Sequence, residues 1–261
     1  MDGTYYKEWS AVLDREMEFK RYGSSGVPVL ALPARGGRFY DWENNGMPEA
    51  VASLLHTGKL QLFCADSIDS ESLLAGDAAP RRRVEAQEQY FLYLTTELAP
   101  RILELTAAET PASAKDAEAE KEAPMLWCAG VDTGAYQAVN CRLRRPELFA
   151  GAIGLSGLYD IRRFLGNAPD DLILRNSPLE ALAEKDLYPL AALAKAEENT
   201  LLLCAGQGAY ENDARTDTQA LQTALEAAAL PCHVELWGSD VSHDWYWWGK
   251  ELGLFAQRIF G

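Results

Sequence analysis

The chain has 261 residues, 48% of them hydrophobic and 24% charged, which suits one large α/β domain with a full core. Its 39 acidic and 24 basic residues give a net charge of −15, so we expect neither nucleic acid nor anionic membranes as partners. No apolar run approaches the ~18 residues of a membrane helix, and without a secretory-signal pattern at the N-terminus we expect a cytoplasmic protein.

Short, continuous apolar runs alternate with longer helical stretches, a pattern typical of strands buried on both faces of a mostly parallel sheet. The N-terminal segment, with Glu16 to Gly23, predicts antiparallel strands at one edge. Six apolar runs predict the buried strands: 27–33, 60–66, 125–130, 151–157, 200–206 and 232–238. The helices are predicted at 48–56, 83–105, 134–144, 213–229 and 245–259.

Two segments interrupt this rhythm within what we interpret as a single domain, 1–261. Segment 106–124 is rich in Ala, Glu and Lys with almost no large apolar residue, which predicts an acidic, low-complexity surface insertion. Segment 161–198 is longer than a plain crossover between strands, and we predict that it forms a partial lid over the strand ends.

No pattern in the sequence indicates a cofactor or a metal. Four of the five cysteines lie in apolar, strand-like runs, where a free thiol behaves as a small core residue, and none has the spacing of a metal ligand. There is no glycine-rich loop of the phosphate-binding kind. The basic run at Arg81, Arg82 and Arg83 is interpreted as a solvated helix start.

One short turn does indicate chemistry. Gly130, Val131, Asp132, Thr133 and Gly134 follow a predicted strand and precede a predicted helix, at the sheet edge where ligands and catalytic groups collect. The two glycines leave room for a sharp turn that holds the central residue in a strained backbone conformation. Glycine and aspartate frame many ordinary turns, so the flanking sequence decides its interpretation.

The flanks carry a family resemblance. GVDTGAYQAVNCRLRRPELFAGAIGLSGLYDIRRF (130–164), LPARGGRFYDWENNGM (32–47) and VSHDWYWWGKEL (241–252) follow one another as in the α/β-hydrolase superfamily. Specifically, they resemble esterases of the esterase D and tributyrin-esterase type. The resemblance implies the α/β-hydrolase fold, with a mostly parallel central sheet of about eight strands and helices on both faces.

The same resemblance assigns roles to individual residues. It places His243 at the general base, and it places the oxyanion donors at the backbone N–H of Thr133 and at an N–H near Ala34 or Arg35. The nucleophile position, where the family uses serine, is Asp132.

The acid of the predicted site is less well defined. The family pattern puts it at Ala209, which has no carboxylate. Glu211 in the same loop is the nearest candidate, followed by Asp213 and by Asp160 after another strand. We interpret each of these as a solvated or helix-capping carboxylate rather than a triad member.

Aspartate at the nucleophile position changes the expected activity, because a carboxylate attacks saturated carbon better than an ester carbonyl. We therefore predict an esterase-like homologue with a degenerate triad, impaired or inactive as a serine esterase. Such a pseudoenzyme would bind a small acyl or ester-like ligand or a protein partner. The oligomeric state and the identity of the ligand are left open by the sequence.

Two alternatives retain enzymatic activity. In one, Asp132 is the nucleophile and His243 activates water, as in dehalogenase or epoxide-hydrolase chemistry. In the other, the protein is a weak carboxylic ester hydrolase that uses another serine. Ser156 and Ser242 are the candidates, but the glycines around Ser156 are misplaced and Ser242 adjoins His243 in the chain.

Overall fold

The structure, a computed structural model, describes residues 2–109, 126–167, 169–184, 186–197 and 200–261. Within these ranges the chain forms one sheet of eight strands. They are β1 (Thr4–Ser10), β2 (Arg15–Tyr22), β3 (Val27–Leu32), β4 (Leu60–Ala65), β5 (Leu126–Val131), β6 (Phe149–Leu155), β7 (Leu201–Ala205) and β8 (His233–Leu236).

The strand order across the sheet is β1-β2-β4-β3-β5-β6-β7-β8. Strands β1 and β2 pair antiparallel, as do β2 and β4, while the remaining neighbours are parallel. The predicted mostly parallel sheet with antiparallel strands at one edge is thus confirmed. The carboxyl ends of β3, β5 and β6 lie side by side, and they bring residues that are distant in sequence to one edge.

Helices connect and cover the strands. They are α1 (Asp41–Asn44), α2 (Met47–Ala50), α3 (Ala52–His56), α4 (Pro80–Tyr93), α5 (Ala99–Glu109), α6 (Thr133–Arg144), α7 (Arg162–Leu165), α8 (Asp171–Arg175), α9 (Pro178–Ala181), α10 (Leu190–Leu193), α11 (Asn212–Ala227) and α12 (Trp245–Phe260). A 3₁₀ turn spans Asp69–Glu71, and a π-helical turn (Leu94–Leu98) joins α4 to α5.

Side chains that alternate along the strands build two hydrophobic clusters, one on each face of the sheet. In β3, for example, Leu30 and Leu32 enter one cluster while Val29 and Ala31 enter the other. Helices α4, α5, α6 and α11 cover the first face, and α1 to α3 with α12 cover the second. Burial on both faces explains why these strands read as continuous apolar runs.

The structure describes the two interrupting segments, 106–124 and 161–198, to different extents. Residues 106–109 form the last turn of α5, whereas 110–124 of the predicted insertion lie outside the described residues. In the described parts of 161–198, the short helices α7 to α10 include contacts with α4, α6 and α11. The segment also reaches the sheet edge, since the Phe164 ring lies 5.8 Å from the Arg35 guanidinium. Its function as a lid stays a prediction.

No helix among the described residues combines the length and the apolar character that crossing a membrane requires.

Candidate functional site

The turn between β5 and α6 has the strained geometry that the sequence predicts. Asp132 has φ of 54° and ψ of −121°, in a region that residues other than glycine rarely adopt. Its N–H donates to the Leu155 carbonyl of β6 at 3.0 Å. A Cβ at Gly130 would lie 2.0 Å from the Gly134 oxygen, and one at Gly134 would lie 2.3 Å from the Pro33 oxygen. The turn therefore requires both glycines.

The Asp132 carboxylate points into the predicted oxyanion region. Its Oδ2 accepts a hydrogen bond from the Arg35 backbone N–H at 3.1 Å, and its Oδ1 lies 3.3 Å from Arg35 Nη2. The aspartate side chain is only 7% exposed, whereas that of Arg35 is 47% exposed. Arg35 thus neutralises a buried carboxylate while keeping half of its own side chain in solvent.

His243 lies beside this carboxylate, in the loop between β8 and α12. Its backbone N–H donates to the Ala209 carbonyl at 3.0 Å, which ties this loop to the one that follows β7. The ring packs edge-on against Trp248, with centroids 4.9 Å apart. His243 Nε2 lies 3.8 Å from Asp132 Oδ1, beyond hydrogen-bond length but within ion-pair distance.

The other ring nitrogen faces Glu211. The distance from His243 Nδ1 to Glu211 Oε1 is 3.3 Å, although the pair does not meet hydrogen-bond geometry. Glu211 is buried, and its Oε1 accepts from the Ser156 hydroxyl at 2.6 Å. It precedes α11 without a side-chain capping bond. Our interpretation of Glu211 as a solvated or capping carboxylate is therefore wrong, because the loop after β7 turns this side chain inward.

The other acids considered from the sequence lie elsewhere. Asp160 is bound by Arg162 at 2.7 Å, and Asp213, in the first turn of α11 rather than at its cap, lies 3.2 Å from Arg163. Among the serines, Ser242 donates to Asp244. Ser156 is buried, with its hydroxyl between Glu211 and the Trp248 indole, an arrangement that orients the acid rather than a nucleophile.

The predicted oxyanion donors surround Asp132. The Arg35 N–H already serves the carboxylate, while the neighbouring Ala34 carbonyl accepts from Gly37 at 2.8 Å. Thr133 begins α6, a position whose N–H has no intrahelical acceptor. Its buried hydroxyl donates to Asp69 Oδ2 at 2.7 Å.

Asp69 is a site residue that we did not predict. It lies after β4 in the 3₁₀ turn, and its Oδ2 also accepts from the Gly36 N–H at 3.4 Å. Burial raises the pKa of Asp69, and the charge of Asp132 raises it further, although the bonds from Thr133 and Gly36 oppose this. The available signal was its position after the strand next to β3, in ADSID.

A second unforeseen carboxyl, Glu251, lies on α12 behind the site. It is fully buried, and no N–H or O–H group among the described residues donates to either of its oxygens. Burial, together with nearby acids including Glu211, raises the pKa of Glu251 to about 8, although a hydrogen bond with the Cys204 thiol opposes this. Helical spacing showed that α12 buries one face, but it did not show that a glutamate belongs to that face.

These contacts decide which chemistry the site can perform. A serine esterase needs its oxyanion donors free for the charge that develops on the substrate oxygen. Here a carboxylate oxygen already takes the Arg35 N–H. His243 and the buried Glu211 lie on the other side of this carboxylate.

No group of three or more His, Cys, Asp or Glu side chains in the described part of the chain is placed to hold a metal ion. The five cysteines are free thiols, and Cys64, Cys128, Cys141 and Cys204 are buried.

No protein-family model and no curated protein sequence matches the chain. Solved structures do match it. A ferulic acid esterase has a TM-score of 0.71 and 16% identity, with 99% of each chain covered. An S-formylglutathione hydrolase from Agrobacterium tumefaciens has a TM-score of 0.70 and 17% sequence identity, with 99% of this chain and 95% of that chain covered. Mycobacterium tuberculosis MPT51 has a TM-score of 0.69 and 14% sequence identity, with 100% of this chain and 98% of that chain covered. The predicted α/β-hydrolase fold is thus confirmed.

Proposed function

We propose that this protein is an esterase-like α/β-hydrolase homologue in which Asp132 blocks serine-type hydrolysis, and that the site is retained to bind a small ligand. The esterases with similar structures support the esterase-like assignment at the level of the fold. In this proposal Asp132 takes the nucleophile position, His243 the base position and Glu211 the acid position, with Thr133 and Arg35 as oxyanion donors.

The observation that carries the proposal is the hydrogen bond from the Arg35 N–H to Asp132 Oδ2. A substrate carbonyl would have to displace a carboxylate that is covalently part of the protein and is also paired with the Arg35 guanidinium. A carboxylate attack on an ester would moreover form a reactive anhydride. Both effects oppose ester hydrolysis before the loss of the serine nucleophile is considered.

The test compares ester turnover by the wild type, Asp132→Ser and Asp132→Ala on short p-nitrophenyl esters. We expect the serine variant to exceed the wild type by at least ~100-fold, since losing a triad nucleophile costs on the order of 10⁶ in turnover. The alanine variant should stay at background because it supplies no nucleophile.

The double variant Asp132→Ser/His243→Ala is the control. It should abolish the gain, which would show that the new hydroxyl acts through the histidine. Substantial wild-type ester turnover that persists in Asp132→Ala would instead refute the blocked site and indicate another nucleophile, such as Ser156.

A second candidate is a hydrolase that uses Asp132 itself as nucleophile. One observation favours it: Asp132 Oδ2 is anchored by a backbone N–H while Oδ1 lies 3.8 Å from His243, which has the buried Glu211 on its far side. Such an arrangement suits attack by Oδ1 on saturated carbon, followed by hydrolysis of the alkyl ester by water that His243 activates.

Alkyl halides and epoxides test this candidate. In a single turnover in heavy-oxygen water, the Asp132 carboxylate should gain one solvent oxygen, detected as a 2-dalton increase in its tryptic peptide. Turnover without label in Asp132 would exclude the mechanism. Asp132→Asn provides the matched control, because an amide has the same shape without the nucleophilic charge.

A further inference from the structure

The two oxygens of the Asp132 carboxylate have unequal partners. Oδ2 is bound by the Arg35 backbone N–H, which loop geometry holds in place. Oδ1 has only a single contact of 3.3 Å with Arg35 Nη2 and the more distant His243 ring. An ionised carboxylate normally takes shorter, often paired bonds from a guanidinium. The Oδ1 side of the carboxylate is therefore poorly matched by the protein.

The Arg35 side chain occupies this position without being locked into it. Its guanidinium makes one contact with Asp132, lies 5.8 Å from the centre of the Phe164 ring and is half exposed. No other acceptor for it is found among the described residues. Exposed arginines with one long contact are held weakly, because solvent competes for their remaining donors. Arg35 thus resembles an internal ligand that a better cation can displace.

The surroundings select the charge of such a ligand. Glu211 is buried on the far side of His243, and its Oε2 has no hydrogen-bond partner among the described residues. Asp69 is also buried, and it accepts a hydrogen bond from Thr133, the residue that follows Asp132. An anionic ligand would meet these carboxyl groups and Asp132, while a neutral ester would find the Arg35 N–H occupied. A cation is the group whose charge this site complements.

We propose that the site binds a cationic ligand group, a guanidinium or a primary alkylammonium, which replaces the Arg35 guanidinium on Asp132 Oδ1 and packs beside Phe164. The aromatic ring suits this role because its face attracts cations and also covers an attached alkyl chain. This inference rests on the proposed retention of the site for ligand binding, and it names the class of ligand.

The experiment measures binding of n-butylguanidinium and n-butylammonium by calorimetry to the wild type and to Arg35→Gln. If the arginine competes with the ligand, its removal should tighten binding at least ~10-fold, because a site that is mostly occupied internally has a reduced apparent affinity. Arg38→Gln is the matched control. It removes an arginine of the same loop and similar exposure, 44%, that pairs with Asp66 and Glu18 instead. It should leave the affinity unchanged.

The contribution of the Asp132 carboxylate is tested in the Arg35→Gln variant, which should bind the cations more tightly. Arg35→Gln/Asp132→Asn should bind both cations at least ~10-fold more weakly than Arg35→Gln, and thermal unfolding of each variant verifies that it is folded. Retained affinity in the double variant would overturn the proposal, as would stronger binding of n-butyrate than of the cations. Absence of binding to wild type and Arg35→Gln would also overturn it. None of these outcomes bears on ester turnover by Asp132→Ser, which tests the proposed function separately.

Discussion

The backbone of Asp132 is strained, since a φ of 54° with ψ of −121° is unfavourable for a residue with a side chain. The neighbouring packing maintains it, because α6 approaches both β5 and the end of β3 so closely that only glycine fits at Gly130 and Gly134. A turn of this kind projects one side chain from the sheet edge. It determines where that side chain lies, and the identity of the residue then determines its chemistry.

The glycine requirement gives a prediction at the residue scale. Gly134→Ala places a methyl group 2.3 Å from the Pro33 oxygen and 2.5 Å from the Leu32 oxygen, both backbone atoms that cannot rotate away. We expect a loss of at least ~3 kcal/mol in the free energy of unfolding, measured by urea denaturation.

Gly249→Ala is the matched control for that substitution. Gly249 lies inside α12, and the nearest atom to an added Cβ is Met47 Sδ at 3.8 Å, an ordinary contact. Alanine is the better helix former, so this variant should be more stable by about 0.5–1 kcal/mol. A Gly134→Ala variant that is as stable as the wild type would show that the turn does not require glycine at position 134.

At the scale of elements, a part-buried ion pair joins α6 to α4. Arg144 on α6 contacts both carboxylate oxygens of Glu88 at 2.7 and 2.9 Å, and its guanidinium lies 3.6 Å from the centre of the Phe91 ring. Asn176, after α8, donates to the same carboxylate. The pair therefore fixes the helix that carries the Asp132 turn against α4 and against segment 161–198.

Removing one member of this pair should be costly. Arg144→Met leaves the part-buried Glu88 without its cation, and we expect a loss of about 2–3 kcal/mol in unfolding free energy at pH 7. Burial raises the pKa of Glu88, but bonds from Arg144 and Asn176 outweigh it and lower the pKa overall. The stabilisation is thus present above the usual pKa of 4.5 and is lost as the pH falls below it.

Arg101 provides the comparison for the ion-pair prediction. It pairs with Glu104 within α5, where the Glu104 side chain is 68% exposed, and with the part-exposed Glu8. Arg101→Met should therefore change the unfolding free energy by less than about 1 kcal/mol. A similar loss in both variants would contradict the structural role that we assign to the Arg144 pair.

At the scale of the whole molecule, a hydrophobic cluster lies on each face of the sheet, and the chain has a net charge of −15. The cytoplasmic location and the absence of nucleic-acid partners remain predictions from that charge and from the sequence. Several acidic residues lie inside instead. Among them is Glu251, between α12 and β7, where it meets the Cys204 thiol. Its burial connects the stability of the molecule to pH.

The pH dependence has a definite sign. The pKa of Glu251 is about 8 in the folded protein, raised mainly by burial, against 4.5 for an exposed glutamate. The folded state therefore retains a proton that the unfolded chain releases, so stability should decline as the pH rises from about 5 to 8. Glu251→Gln cannot ionise and should flatten this decline, giving a gain on the order of a few kcal/mol at pH 8.

Chemical denaturation of the wild type and Glu251→Gln at several pH values measures this effect. Glu226→Gln, on α11 and part of an exposed contact with Gln222, should follow the wild-type profile. Parallel profiles for wild type and Glu251→Gln would show that Glu251 does not titrate in this range.

The sequence by itself determined the sheet, because strands buried on both faces must be continuously apolar. The helices between them must have apolar residues every three to four positions. It also located Asp132, since the framing glycines meet a steric requirement that is local in the chain. Only the tertiary structure decided the contacts of that carboxylate. Arg35, Glu211 and His243 come from loops whose paths depend on packing, and Asp69 reaches the site from a fourth. A periodic pattern constrains which face of an element is buried, but it does not encode where an irregular loop directs its side chains.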